Sequence, residues 1–155
     1  MVTTGIYAII NTLEPIRVPY NQPCPAPLAA ITYRCYIGKA KDFERRWRAD
    51  HLTYFLNGQH ACTFLLDGFQ GWLRSDASRL KLLAQSKDAF KSVWLVRATD
   101  TPRPEWNLGP FLFRVLEEVP LEMLTDRERD YHAANPGGYR GGTNDGRRWK
   151  KWDGK

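Results

Sequence analysis

Residues 34–47 read RCYIGKAKDFERRW, an aromatic and β-branched segment that passes through Gly38 into a cationic helical stretch. Tyr36 and Ile37 favour a pleated strand, and Asp42 stands where a helix N-cap is needed ahead of Phe43. Lys39, Lys41, Arg45, Arg46 and Arg48 crowd the corner, and the first turn of the helix adds free backbone N–H groups. A strand that discharges into such a corner is suited to receive an anion, phosphate above all. A solvated face interleaved with Asp42, Glu44 and Asp50 accounts for the same charges.

The helix opened by Asp42 meets a stop signal at Asn57-Gly58. At 100° per residue Phe43 and Trp47 share a face, but Leu52 and Leu56 point elsewhere unless one extra residue is absorbed between positions 47 and 51. With that single π-bulge, Phe43, Trp47, Leu52 and Phe55 align into one apolar stripe and His51 comes round close to Arg46. Such bulges concentrate near functional sites. The alternative is a helix that breaks near Asp50 and restarts.

Upstream, GIYAII at 5–10 reads as a strand able to pair with ITYRCYIG at 31–38. Between them lie five of the ten prolines, within residues 15–27, so this segment is expected to be a long surface loop. Downstream, a helix is expected across residues 60–66 and another over 77–88, capped by Ser75 or Asp76. Residues 90–99 alternate like a strand, TDTPRPEWNLGP reads as loop, and FLFRVLEEV at 111–119 is the clearest later strand. A helix over 120–135 closes at Pro136-Gly137-Gly138.

At 155 residues the chain fits one compact domain with a substantial core. No apolar run approaches the roughly 18 residues of a membrane span, and the N-terminus lacks the features of an export signal. Cys24, Cys35 and Cys62 form no metal or redox spacing, and with His51, His60 and His132 no zinc pattern. They are read as reduced thiols of a cytoplasmic protein. The net charge of +6 points to an acidic partner. Residues 139–155 hold +4 of it, six cations against Asp145 and Asp153.

Two residue types carry chemistry. Leu124, Arg127, Glu128 and Tyr131 share one helix face, so Glu128 falls within an inward-looking stripe, although Thr125-Asp126-Arg127-Glu128 also matches a capping box. A tyrosine used as a proton acceptor must come down some three pKa units, about 4 kcal/mol. One unit charge at about 4 Å with an effective dielectric of 20 supplies a similar amount. Lys39, Arg46 or a metal-bound hydroxide would serve for Tyr7 or Tyr36, whereas packing is the ordinary role of a strand tyrosine.

Taken together, GIYAI at 5–9, CYIGKAKDFERRW at 35–47 and the later FRVLEEV and RERDYH segments resemble the GIY-YIG nuclease superfamily. The likeness covers residues 5–9, 34–60 and about 111–145. It implies an α+β fold, a small three-stranded antiparallel sheet flanked by helices, over residues 1–145. Expanded segments would lie at about 11–30 and 62–110, with a basic, tryptophan-containing tail at 146–155. It further implies that Tyr7 and Tyr36 flank a scissile phosphate of DNA, that Arg46 binds it, and that Glu128 holds one divalent metal, usually magnesium, with manganese as a substitute. Lys39 matches the lysine after YIG in the excision-repair branch, Asn144 a late asparagine near the site, and His60 a second histidine of the phage homing-enzyme branch. Tyr36, assisted by Lys39, is the expected base, with Tyr7 able to exchange roles with it. The pattern places a His or Tyr four residues after its arginine, where this chain has Asp50, and the inferred bulge would bring His51 into that role.

On this basis Lys41, Arg45, Arg48 and His60, with Arg147, Arg148, Trp149, Lys150 and Lys151 of the tail, are expected to touch nucleic acid. The tail is equally a solubilising end. A dimer or a protein partner would supply targeting. The rival to a metal-dependent endonuclease is a non-catalytic module that holds nucleic acid or a partner protein at the same corner.

Overall fold

A computed structural model describes residues 4–60, 62–98, 101 and 103–140. Asn144 and the tail residues Arg147, Arg148, Trp149, Lys150 and Lys151 lie outside the described residues.

The fold is α+β, built on an antiparallel sheet. Strand β1 (Gly5–Pro15) pairs on one side with β2 (Tyr33–Ala40) and on the other with β5 (Phe111–Glu118). The sheet is not the three-stranded one expected, although these three strands are the ones the sequence pointed to. Two further strands, β3 (Leu95–Ala98) and β4 (Glu105–Leu108), extend it to five in the order β2-β1-β5-β4-β3. The expanded segment therefore widens the sheet and does not form a separate lobe. The expectation of loop at EWNL fails because a tight turn at Gly109, with φ of 58°, folds β4 back onto β5 and overrides the flanking prolines.

The region 15–27 is irregular as expected, followed by the single turn α1 (Ala26–Ala29). Helix α4 (Thr63–Arg74) runs a full turn and more beyond the expected end, burying Leu65, Leu66, Phe69, Trp72 and Leu73. Asp76 caps α5 (Ala77–Gln85), its side chain accepting from the Ser78 amide. Ser86 then caps α6 (Lys87–Trp94), so the expected strand over 90–99 shrinks to its second half.

The decisive local feature is the segment after β2. Asp42 Oδ1 accepts from the Arg45 amide at 3.1 Å and opens α2 (Phe43–Arg45). The chain passes into a π-helical turn over Arg46–His51, returns to α-helix in α3 (Leu52–Asn57), and stops at Gly58 with φ of 67°. The extra residue keeps Phe43, Trp47, Leu52 and Phe55 on one buried face, in agreement with the phase of the sequence.

Side chains alternate across the sheet. Tyr7, Ile9, Ala40, Phe111, Phe113 and Val115 enter one core with Trp47, Phe55, Phe69 and Trp72. Ile6, Ala8, Ile10, Cys35, Ile37 and Leu116 enter the other with Leu124, Tyr131 and Ala134 of α7 (Leu124–Ala134). Burying these aliphatic and aromatic groups contributes roughly 1.5–3 kcal/mol each. A 3₁₀ turn at Leu121–Met123 leads into α7.

Candidate active site

The site sits where β1, β2 and the π-helical turn meet. Tyr7 lies directly opposite Gly38 in the β1–β2 register, and Tyr36, two residues before Gly38, projects from the same face. A Cβ at Gly38 would overlap the Tyr7 phenol, and one at Gly5 would overlap the Glu117 carbonyl and the Phe43 ring. The glycines of both sequence segments are thus required by close approach.

Tyr7 is fully buried and stacks on Phe113 at 4.5 Å between ring centroids. Its hydroxyl contacts His51 Nε2 at 2.5 Å and accepts from Arg46 Nε at 3.3 Å. Tyr36 is half-buried and meets His51 and His60 edge-on at 5.7 and 5.6 Å. The π-bulge is what turns His51 inward. Arg46, half-buried, also grips Asp50 through its guanidinium at 2.8 Å, so the aspartate four residues on holds the arginine.

Electrostatics qualify the expected tyrosinate. In the pocket as it stands, burial raises the pKa of both phenols, and the opposing Arg46 charge is the smaller effect on each. Lys39 does not assist Tyr36 as expected. Alternation along β2 sends Lys39 to the other side, where its Nζ donates to Thr125 Oγ1 at 3.0 Å and lies 3.9 Å from Glu128 Oε1. Arg46 is the cation that acts on Tyr36.

Glu128 is no cap. Helix α7 begins at Leu124, which places Thr125 inside the first turn, and its hydroxyl serves Lys39. The carboxylate is half-buried beside the outer strand β2, burial raising its pKa while Lys39 and then Arg46 oppose the rise. Both phenols sense its charge. Among the described residues no group of three or more His, Cys, Asp or Glu side chains is placed to hold a metal ion. A single carboxylate whose nearest cation, Lys39, stands 3.9 Å away, beyond hydrogen-bond range, fits a hard ion that keeps most of its water.

His60 is corrected from nucleic-acid contact to core residue. It is 1% exposed, stacked on Phe55 at 4.7 Å, with Nε2 2.7 Å from His51 Nδ1. Lys41, Arg45 and Arg48 are exposed along the cationic corner, Arg48 pairing with Glu44 at 3.2 Å. Three neighbours named in the sequence only in other roles prove to border the site: Thr125, Asp50 and His132, whose Nε2 lies 3.9 Å from Glu128 Oε2. The i,i+4 spacing of Asp50 from Arg46 and of His132 from Glu128 was the available signal. No family model, curated protein or solved structure matches the chain. No helix among the described residues is long and apolar enough to cross a membrane.

Proposed function

We propose that this chain is a metal-dependent endonuclease that hydrolyses phosphodiester bonds of DNA. The observation that carries this reading is geometric: Arg46 Nε donates to the Tyr7 hydroxyl at 3.3 Å, Tyr36 projects from the same face of the sheet, and Glu128 stands across the edge strand β2 within electrostatic reach of all three. Two phenols, a guanidinium and a carboxylate in mutual range suit a phosphodiester flanked by a divalent ion.

Arg46 would neutralise a non-bridging oxygen of the scissile phosphate, with Asp50 fixing the plane of its guanidinium. Glu128 would hold magnesium, or manganese in its place, and Lys39 and Thr125 would set the carboxylate's position. When bound, the ion supplies positive charge to the departing 3′ oxygen. Tyr36, the more accessible phenol, would serve as base only as the phenolate, its own proton released to solvent with Arg46 and the charge of the bound ion opposing the rise that burial causes; it would then take a proton from the attacking water, and the product would carry a 5′-phosphate. Exposed Lys41, Arg45 and Arg48 would follow the backbone on either side.

Supercoiled plasmid incubated with Mg²⁺, with Mn²⁺ and with EDTA, beside a Glu128→Ala variant, tests the reading. Nicking by the native chain that requires the divalent ion and is lost in the variant is the expected result. Equal nicking by both proteins defeats it. Tight DNA binding without nicking under any ion would leave the non-catalytic module in its place.

A further inference from the structure

The direction of the hydrogen bonds behind Tyr7 is fixed at a backbone amide. The Cys62 N–H lies 3.0 Å from His60 Nδ1, and a peptide nitrogen only donates. His60 Nδ1 is therefore the bare, accepting nitrogen. Burial, with Arg46 as the next influence, holds His60 neutral, its pKa brought down to about 3. A neutral imidazole bare on one nitrogen carries its proton on the other. His60 Nε2–H thus donates to His51 Nδ1 at 2.7 Å.

The step repeats at His51. It is 2% exposed, and burial, His60 and Arg46 keep it uncharged. Its Nδ1 accepts, so its Nε2–H donates to Tyr7 Oη at 2.5 Å. Arg46 Nε donates to the same oxygen at 3.3 Å. Reversing the chain would set two N–H groups against each other at Cys62. With both imidazoles neutral, the buried chain holds one proton more than it has acceptors, and the surplus is the hydroxyl proton of Tyr7. Among the described residues no acceptor is recorded for it.

We propose that the Cys62 amide, His60 and His51 form a one-way chain that commits the Tyr7 hydroxyl to donate away from His51; the phenol is covered in the free protein, and its acceptor is a non-bridging oxygen of a phosphodiester seated against Arg46. His60 is then a positioning residue. Tyr7 is a phosphate-binding donor, sharpened by the two N–H groups that polarise its oxygen, and the role of base falls to Tyr36. A phenol in this role keeps its proton throughout. The inference rests on the endonuclease reading for its ligand, but the chain itself is measurable without activity.

Nitrogen-15 NMR of the metal-free protein reads both imidazoles directly. The expected result is the Nε2–H tautomer at His51 and at His60, and an Nδ1–H tautomer at either overturns the chain, whether or not the protein cuts DNA. His60→Phe keeps the stack on Phe55 and removes the donor, so His51 should change tautomer and Tyr7 should turn to donate to it. Single-turnover cleavage is then expected to fall by roughly 10²-fold, as for loss of one anion-binding donor. His60→Gln, which returns an N–H near the Nε2 position, should recover part of the rate. Tyr7→Phe should lower the rate without moving the rising limb of the pH–rate profile. Disappearance of that limb in Tyr7→Phe would make Tyr7 the base and overturn the assignment.

Discussion

Tyr7 and Gly38 are register partners across β1 and β2, and the phenol ring lies over the glycine where a side chain would begin. Gly38→Ala should therefore disturb the site and the core together. Overpacking of this kind destabilises by about 1–3 kcal/mol, or roughly 2–12 °C in Tm for a chain of this size. Denaturant midpoints give the stability, and a midpoint equal to that of the native chain would show that the ring lies elsewhere.

The three-stranded kernel and the bulged helix were legible because each rests on local pattern. Ile6, Ile9 and Ile37 announce strands, and the phase slip between Trp47 and Leu52 announces one inserted residue. Strand β3 was legible as the second half of the alternating stretch 90–99, whose first half is helix, whereas β4 was not legible, since four residues carry too little alternation and only the turn at Gly109 and the face of β5 recruit it. The candidate site divides in the same way. Tyr7, Tyr36, Arg46 and Glu128 stood out by motif. Strand alternation turned Lys39 toward Glu128, and tertiary packing drew His60 into the core, neither of which residue identity reveals.

Arg46 spans two partners, Tyr7 through Nε and Asp50 through its terminal nitrogen, a geometry that an ammonium cannot copy. Arg46→Lys should lower cleavage by roughly 10²-fold while Tm stays nearly constant. Asp50→Asn should matter far less, because an i,i+4 pair this exposed contributes about 0.3–0.5 kcal/mol, close to a twofold effect. Rates measured under single-turnover conditions compare the two. Equal losses would make the clamp, and not phosphate binding, the purpose of the arginine.

His51 and His60 are buried neutral, with burial the chief cause of both lowered pKa values. The unfolded chain takes up a proton at each near pH 6.5, whereas folded His60 resists until about pH 3 and His51 until well below its ordinary value. The unfolded state binds more protons below about pH 6.5, so stability is lost as pH falls. The two together contribute up to roughly 3 kcal/mol per pH unit between roughly pH 6 and 5. Urea midpoints across that range test the slope, and His60→Phe should remove about half of it.

Arg147, Arg148, Lys150 and Lys151 give the C-terminal stretch four cations within five residues, interrupted by Trp149. If each neutralises one phosphate, every contact releases a counterion from duplex DNA, and the slope of log affinity against log salt carries about 0.9 per contact. Removing residues 146–155 is therefore expected to flatten that slope by roughly 3 to 4 units. Affinity at low salt should fall much more than affinity at high salt, where the released counterions contribute little. If Trp149 and Trp152 stack on bases they add a salt-independent part, and a variant with both replaced by alanine should then lose affinity with the slope preserved. Fluorescence titrations of a short duplex at several salt concentrations separate the two contributions, and an unchanged slope after truncation would show that the tail makes no phosphate contacts.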